Sequence, residues 1–135
     1  MIADTSGLLA SFNVREPQHE RVRRCLDATA EALVVSPYVL AELDDLIGTR
    51  VGVAAELAAL RELTRAAYEL AAIGAEDLAA AADIVERYHE STIGLTDASL
   101  VVLADRYHTH RVLTLDHRHF RALRALDGRP FELLP

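Results

Sequence analysis

Tryptophan and lysine are missing from this sequence, cysteine occurs once, and only three phenylalanines and four tyrosines stand among its 135 residues. The core must therefore be aliphatic, mostly Leu, Val and Ala, and recognition of bases by aromatic stacking is disfavoured. The lone Cys25 permits no internal disulfide and suggests a reducing compartment. Its basic neighbours in "RVRRCLDA" do not by themselves make a nucleophile, and a half-buried helix position is the reading adopted for it. No apolar run approaches the roughly 20 residues needed to cross a bilayer. The first residues reach Asp4 without a basic segment, so no secretory leader and a cytoplasmic location are expected. An excess of positive charge is absent too: the net charge is −7, which disfavours a general duplex-binding protein. It does not exclude nucleic acid, because clustered acids can gather divalent cations that then meet phosphate. All 14 basic residues are arginine, a fork-shaped partner for phosphate, although codon bias explains the choice more simply.

What is present is a hydrophobic content of 51% against 26% charged residues, which indicates one globular domain over residues 1–135. No repeat, linker or break in composition divides it. The runs "MIAD", "ALVVS", "YELAAIG", "RVLTL" and "FELLP" read as short strands. Between them, "TSGLLASF", "EPQHERVRRCLDAT", "PYVLAELDDLI", "GVAAELAALRELTRAA", "AEDLAAAADIVERYHE", "TDASLVVLADRYH" and "HRHFRALRAL" read as helices. Pro37 suits a first helical turn, Gly48 is expected to stop that helix, and Val22, Cys25 and Leu26 form an apolar stripe on the second helix. Alternation of apolar strands with helices implies a three-layer α/β/α sandwich around a parallel sheet of four to five strands.

Acids recur at the ends of these elements. Ligands of an open parallel sheet bind beyond the carboxyl ends of its strands. Asp4 ends "MIAD" and Asp116 follows "RVLTL", so both fall on one rim whatever the strand order. Capping of the following helix is an equally good reason for either. Asp97 stands in the first turn of its helix, behind Thr96 as N-cap, and shares a face with Val101 and Ala104. A carboxylate turned toward an apolar face is costly unless a positive or hydrogen-bonding group meets it. The helix dipole supplies under ~1 kcal/mol, and a cation far more. Glu42 flanks the apolar stripe of Val39, Leu40, Leu43, Leu46 and Ile47, whereas Asp44 and Asp45 turn toward water. Like charges brought together must protonate or bind cations. Hard oxygen donors suit Mg²⁺ or Mn²⁺, and such ions over a phosphodiester activate water and stabilise the charged transition state.

Four stretches, "MIADTSGLLA", "SPYVLAELD", "LTDASLVVLADRY" and "VLTLDHRHF", in this order and spacing, resemble a PIN-domain ribonuclease of the VapC toxin type. The likeness runs nearly end to end. It implies a PIN-like fold and an endoribonuclease cutting structured RNA such as tRNA or rRNA, with Mg²⁺ as cofactor and Mn²⁺ as a substitute. Carried over residue by residue, it implies Asp4, Glu42, Asp97 and Asp116 as catalytic and metal-binding acids, with the hydroxyls of Thr5, Ser6 and Thr114 orienting ligands or water. It also implies a VapB-type antitoxin as partner and a homodimer. Many relatives carry a further acid where this chain has His119, which bears on a second metal position. His108, His110, His117 and His119 form two H-x-H pairs that read as surface histidines. Arg118, Arg121 and Arg124, or Arg15, Arg21, Arg23 and Arg24, are candidate phosphate contacts, with solvated ion pairs as the plainer reading. Two alternatives stand beside this one. A phosphatase of the haloacid-dehalogenase type needs a second Asp where Ser6 stands, and a non-catalytic partner-binding module has no use for four acids.

Overall fold

In the computed structural model, which describes residues 1–135, five parallel strands lie in the order β3-β2-β1-β4-β5. They are β1 (Ile2–Ala3), β2 (Leu33–Val35), β3 (Tyr68–Leu70), β4 (Arg111–Leu113) and β5 (Glu132–Leu134). The helices α1 (Thr5–Phe12), α2 (His19–Asp27), α3 (Pro37–Arg50), α4 (Val53–Glu62), α5 (Ala75–Arg87), α6 (Leu95–Arg106) and α7 (His117–Ala122) flank the sheet, as expected of a three-layer sandwich. The chain lays β2 and β3 to one side of β1, then returns to add β4 and β5 on the other. The order therefore reverses between β1 and β4, where Ile2 pairs with Val112 and Ala3 with Leu113. Asp4 leaves the sheet opposite Thr114, at that reversal.

The central strands are buried on both faces, so they are continuous apolar runs without alternation. Edge strand β3 is mostly exposed. Helix α6 is buried from Ala98 through Ala104, which is why its apolar residues run nearly all round. It packs on α5, α3 and β1. Phe120 is the one aromatic among the largest fully buried side chains, set edge-on to Phe131, and the rest are Leu, Ile and Val. Gly7 brings α1 against β4, since a Cβ there would stand 2.6 Å from the Leu113 carbonyl oxygen. On α2, Val22 is buried while Cys25 and Leu26 are half-buried.

Helix α3 begins as expected: Ser36 Oγ accepts from the Tyr38 N–H, and Pro37 occupies the first turn. It does not stop at Gly48. The helix continues to Arg50 and the chain turns at Gly52, whose φ of 120° is one that residues with a side chain rarely adopt. Gly48 has another task, because a Cβ there would lie 2.8 Å from Glu56 Oε2 of α4. Asp44 also departs from expectation. It is half-buried rather than solvated, and its Oδ1 is buried without a hydrogen-bond donor. Burial pushes the Glu56 carboxyl up from the usual range, and the charge and hydrogen bonding of Asp44 beside it push the same way. The two acids thus face each other between α3 and α4.

Candidate active site

The four acids singled out in the sequence line one cleft of about 550 Å³ at the carboxyl rim of the sheet. A larger concavity of about 690 Å³ lies at the opposite rim, where three acids, Glu31, Glu69 and Glu132, are met by the N-terminal amine, the Tyr107 hydroxyl and Arg111. Chemistry, not size, selects between them.

Asp4 and Asp116 follow β1 and β4 but behave differently. Asp4 occupies the N-cap position of α1, yet its side chain makes no capping bond. Its Oδ2 accepts instead from Ser6 Oγ at 2.6 Å and from Thr114 Oγ1 at 2.8 Å. Ser6 Oγ in turn accepts from the Leu115 N–H at 2.8 Å, and Thr114 Oγ1 from the Asp116 N–H at 2.9 Å. Both hydroxyl protons therefore point at one oxygen of Asp4, and the ends of β1 and β4 are tied together through them. Asp4 is only 7% exposed, so these donors offset the desolvation of its charge. Asp116 does cap its helix: its Oδ1 accepts from the His119 N–H at 3.2 Å. The capping reason offered for a strand-end acid thus holds for Asp116 and not for Asp4.

Asp97 is at the third position of α6, where its Oδ2 accepts from the Gly94 N–H at 3.3 Å. The N-cap is Gly94 rather than Thr96, because the helix starts at Leu95. Burial pushes the Asp97 carboxyl above its ordinary value. The Gly94 N–H and His119 oppose that shift, and the charges of Asp4 and Asp116 add to it. These three aspartates thus share one electrostatic neighbourhood. Glu42 sits to one side on α3, held at both oxygens: Thr5 Oγ1 donates to Oε2 at 2.7 Å and Thr96 Oγ1 to Oε1 at 2.6 Å. Thr96, displaced from the cap, fixes an acid of another helix. Thr5, Ser6 and Thr114, expected as orienting hydroxyls, all donate to cleft carboxylates.

Thr92 and Arg50 line the cleft without having been expected there, and His119, expected as a surface histidine, joins them. His119 lies between two of the acids, with Nδ1 3.2 Å from Asp116 Oδ2 and 3.8 Å from Asp97 Oδ2. Its Nε2 is 2.9 Å from Thr92 Oγ1. The available signal was its place three residues after Asp116, which on a first helical turn folds the ring back over the cap. Arg50, at the end of α3, is the one arginine lining the cleft. The arginines expected near phosphate lie elsewhere: Arg21 donates to the Pro135 carbonyl, Arg23 pairs with Asp27, and Arg124 donates to the Arg121 and Leu123 carbonyls.

No three Asp, Glu or His side chains converge tightly enough to enclose an ion. An open wall of carboxylates and hydroxyls suits a hard divalent cation that keeps several waters and takes only a few protein ligands. The donor set fits Mg²⁺ or Mn²⁺.

The model of the PIN domain matches residues 1–126. Ribonuclease VapC26 of Mycobacterium tuberculosis is 58% identical over 135 residues, all of both chains. Among solved structures, VapC20 of M. tuberculosis, a sarcin-ricin loop cleaving toxin, superimposes with a TM-score of 0.83 at 21% identity, covering 96% of this chain and 98% of its own. VapBC2 of Rickettsia felis, bound to a DNA fragment from its promoter, gives 0.70 at 16% identity over 99% and 98%. FitAcB of Neisseria gonorrhoeae gives 0.58 at 20% over 98% and 97%. At these identities the three structures speak to the fold.

Proposed function

The chain belongs to the PIN-domain family and is a ribonuclease of the VapC kind; from that premise we propose that its four-acid cleft hydrolyses phosphodiester bonds of structured RNA with a divalent cation, Mg²⁺ or its substitute Mn²⁺. The observation that carries this reading is Asp97, a carboxyl disfavoured as an anion by burial and by Asp4 and Asp116, yet set on the wall of an open cleft. Such an arrangement is costly until a cation meets it.

When bound, the cation supplies activation of water and neutralisation of charge on the phosphoryl group. The rest falls to the chain. Ser6 and Thr114 hold Oδ2 of Asp4, leaving its Oδ1 without a protein hydrogen bond. Asp97 and Asp116 form the adjoining wall. Glu42, fixed by Thr5 and Thr96, keeps unshared lone pairs that can accept a hydrogen bond from the attacking water and orient it toward phosphorus. In the hydrolysis the water oxygen bonds to phosphorus as its proton passes to solvent, the bond to the leaving oxygen breaks, and that oxygen takes a proton from solvent. Arg50 is placed to hold a flanking phosphate. A phosphatase nucleophile at Asp4 does not suit this geometry, because Ser6 replaces the second acid and donates to the first.

A VapB-type antitoxin as partner, and a homodimer, belong to the same proposal. Val51, Val53 and Leu57 stand exposed at the α3–α4 corner beside Arg50, apolar side chains next to the cleft that an antitoxin segment would cover. No helix is long and apolar enough to cross a membrane.

The test is cleavage of tRNA and ribosomal fragments by wild type and Asp4→Asn, purified side by side, in Mg²⁺, Mn²⁺ and EDTA. Discrete cuts that need metal and vanish in the variant are expected. Equal cutting by both proteins would remove the cleft from the reaction, and silence of both would favour the non-catalytic module.

A further inference from the structure

We propose that His119 is a metal ligand of this cleft: its Nδ1 supplies one nitrogen beside Asp97 and Asp116, and Thr92 holds the ring for that task. The inference rests on the cation-dependent reading above and says which donors of this chain complete it.

Geometry carries the argument. Donors at right angles around an ion with bonds of about 2.1 Å lie roughly 3 Å apart. Nδ1 of His119 lies 3.2 Å from Asp116 Oδ2, near the spacing of neighbouring ligands, and 3.8 Å from Asp97 Oδ2, a gap that closing on an ion would narrow. The other ring nitrogen is engaged, since Nε2 stands 2.9 Å from Thr92 Oγ1. An Nε2–H donated to that hydroxyl leaves the Nδ1 lone pair directed at the acids. This is the outer-shell device by which proteins fix the tautomer and orientation of a ligating histidine. The backbone fixes the position further, because the His119 N–H is donated to Asp116 Oδ1 and locks the first turn of α7 over the site.

The chemical consequence is metal choice. Carboxylates and water suit Mg²⁺, whereas an imidazole nitrogen raises the relative affinity for transition ions. The cleft therefore discriminates in favour of Mn²⁺ over Mg²⁺ more than its four carboxylates alone would. His119→Asp, which restores an all-oxygen set, reverses that preference.

Mn²⁺ itself is the probe, read by electron paramagnetic resonance on the full-length protein. Nitrogen modulation from one imidazole is expected in wild type, shifting when histidine is labelled with ¹⁵N and vanishing in His119→Gln. The ratio of Mn²⁺ to Mg²⁺ affinity should fall about tenfold in His119→Asp, and Thr92→Val should keep the nitrogen signal while weakening Mn²⁺ roughly tenfold. Mn²⁺ that binds wild type and is lost in Asp97→Asn, but shows no histidine nitrogen, overturns the role of His119 and leaves the metal reading standing. Mn²⁺ binding indifferent to Asp97→Asn, or absent altogether, overturns both.

Discussion

Asp97 shows what a single residue can carry. Its carboxyl is 17% exposed and pushed above its ordinary range first by burial, with Asp4 and Asp116 adding to the effect. A raised carboxyl value means the folded chain holds that proton to higher pH than the unfolded chain does. The stability it contributes is complete below the unfolded value of 3.8 and is lost as pH rises through the folded one. At neutral pH without metal the charge is a net cost. Asp97→Asn keeps an acceptor for the Gly94 N–H and removes the charge, so in EDTA at pH 7 its melting temperature should rise, roughly 2–4 °C for each 1 kcal/mol relieved. RNA cleavage should be lost in the same variant. A melting temperature that falls in EDTA would mean that the carboxylate is structural. The face of Asp97 was legible from its spacing with Val101 and Ala104, because helical periodicity fixes direction. Its cap was not: Thr96 is a better N-cap by residue type than Gly94, but Glu42 on another helix claims the hydroxyl. The two strand-end acids were legible as positions and ambiguous as roles, since whether a side chain caps depends on donors that come from distant elements. Asp4 finds Thr114, 110 residues away. The place of His119 within the cleft is not legible for the same reason, its partner Thr92 lying on a different segment.

At the scale of elements, the ends of helices were read less well than their existence. Glycine usually stops a helix, so local preference places the end of α3 at Gly48, but tertiary contact with α4 overrides it. The missing Cβ lets Glu56 approach, and with it comes the facing pair of acids, Asp44 and Glu56. That pair makes the α3–α4 corner sensitive to pH. Glu56 is raised above 4.5 by burial and by Asp44, so its stabilising contribution is complete below 4.5 and disappears as pH rises through the folded value. Glu56→Gln removes one of the two facing charges and supplies an amide N–H able to donate to the orphaned Asp44 Oδ1. The variant should melt higher than wild type at pH 8, with the gap closing as pH falls toward 4.5. Thermal melts across that range check it, and a gap independent of pH would show that Asp44 does not raise the Glu56 carboxyl. Strands, by contrast, were legible at once. A short run buried on both faces leaves few alternatives to a parallel sheet.

The whole molecule poses a problem of charge. It carries −7 overall, its cleft gathers four carboxylates at the reversal between β1 and β4, and its substrate is itself a polyanion. Sheet topology explains how acids distant in sequence meet, and this much follows from strand-end placement alone. Where RNA is held does not follow from the sequence, because 14 arginines are spread along it and half are drawn into ion pairs or backbone contacts. With Arg50 the one guanidinium lining the cleft, few phosphates can be neutralised there, and attraction must come largely from the bound cation. Each phosphate neutralised on a single strand contributes about 0.7 to the slope of log affinity against log salt. Binding of a cleavable RNA to the inactive Asp97→Asn protein should therefore have a shallow slope, and adding Arg50→Gln should lower it by about 0.7. In the active background the same substitution should raise KM more than it lowers kcat, because Arg50 would hold a phosphate away from the scissile one. An unchanged slope in Arg50→Gln, with a loss instead in Arg23→Gln or Arg24→Gln, would move the RNA path off the cleft wall and onto α2.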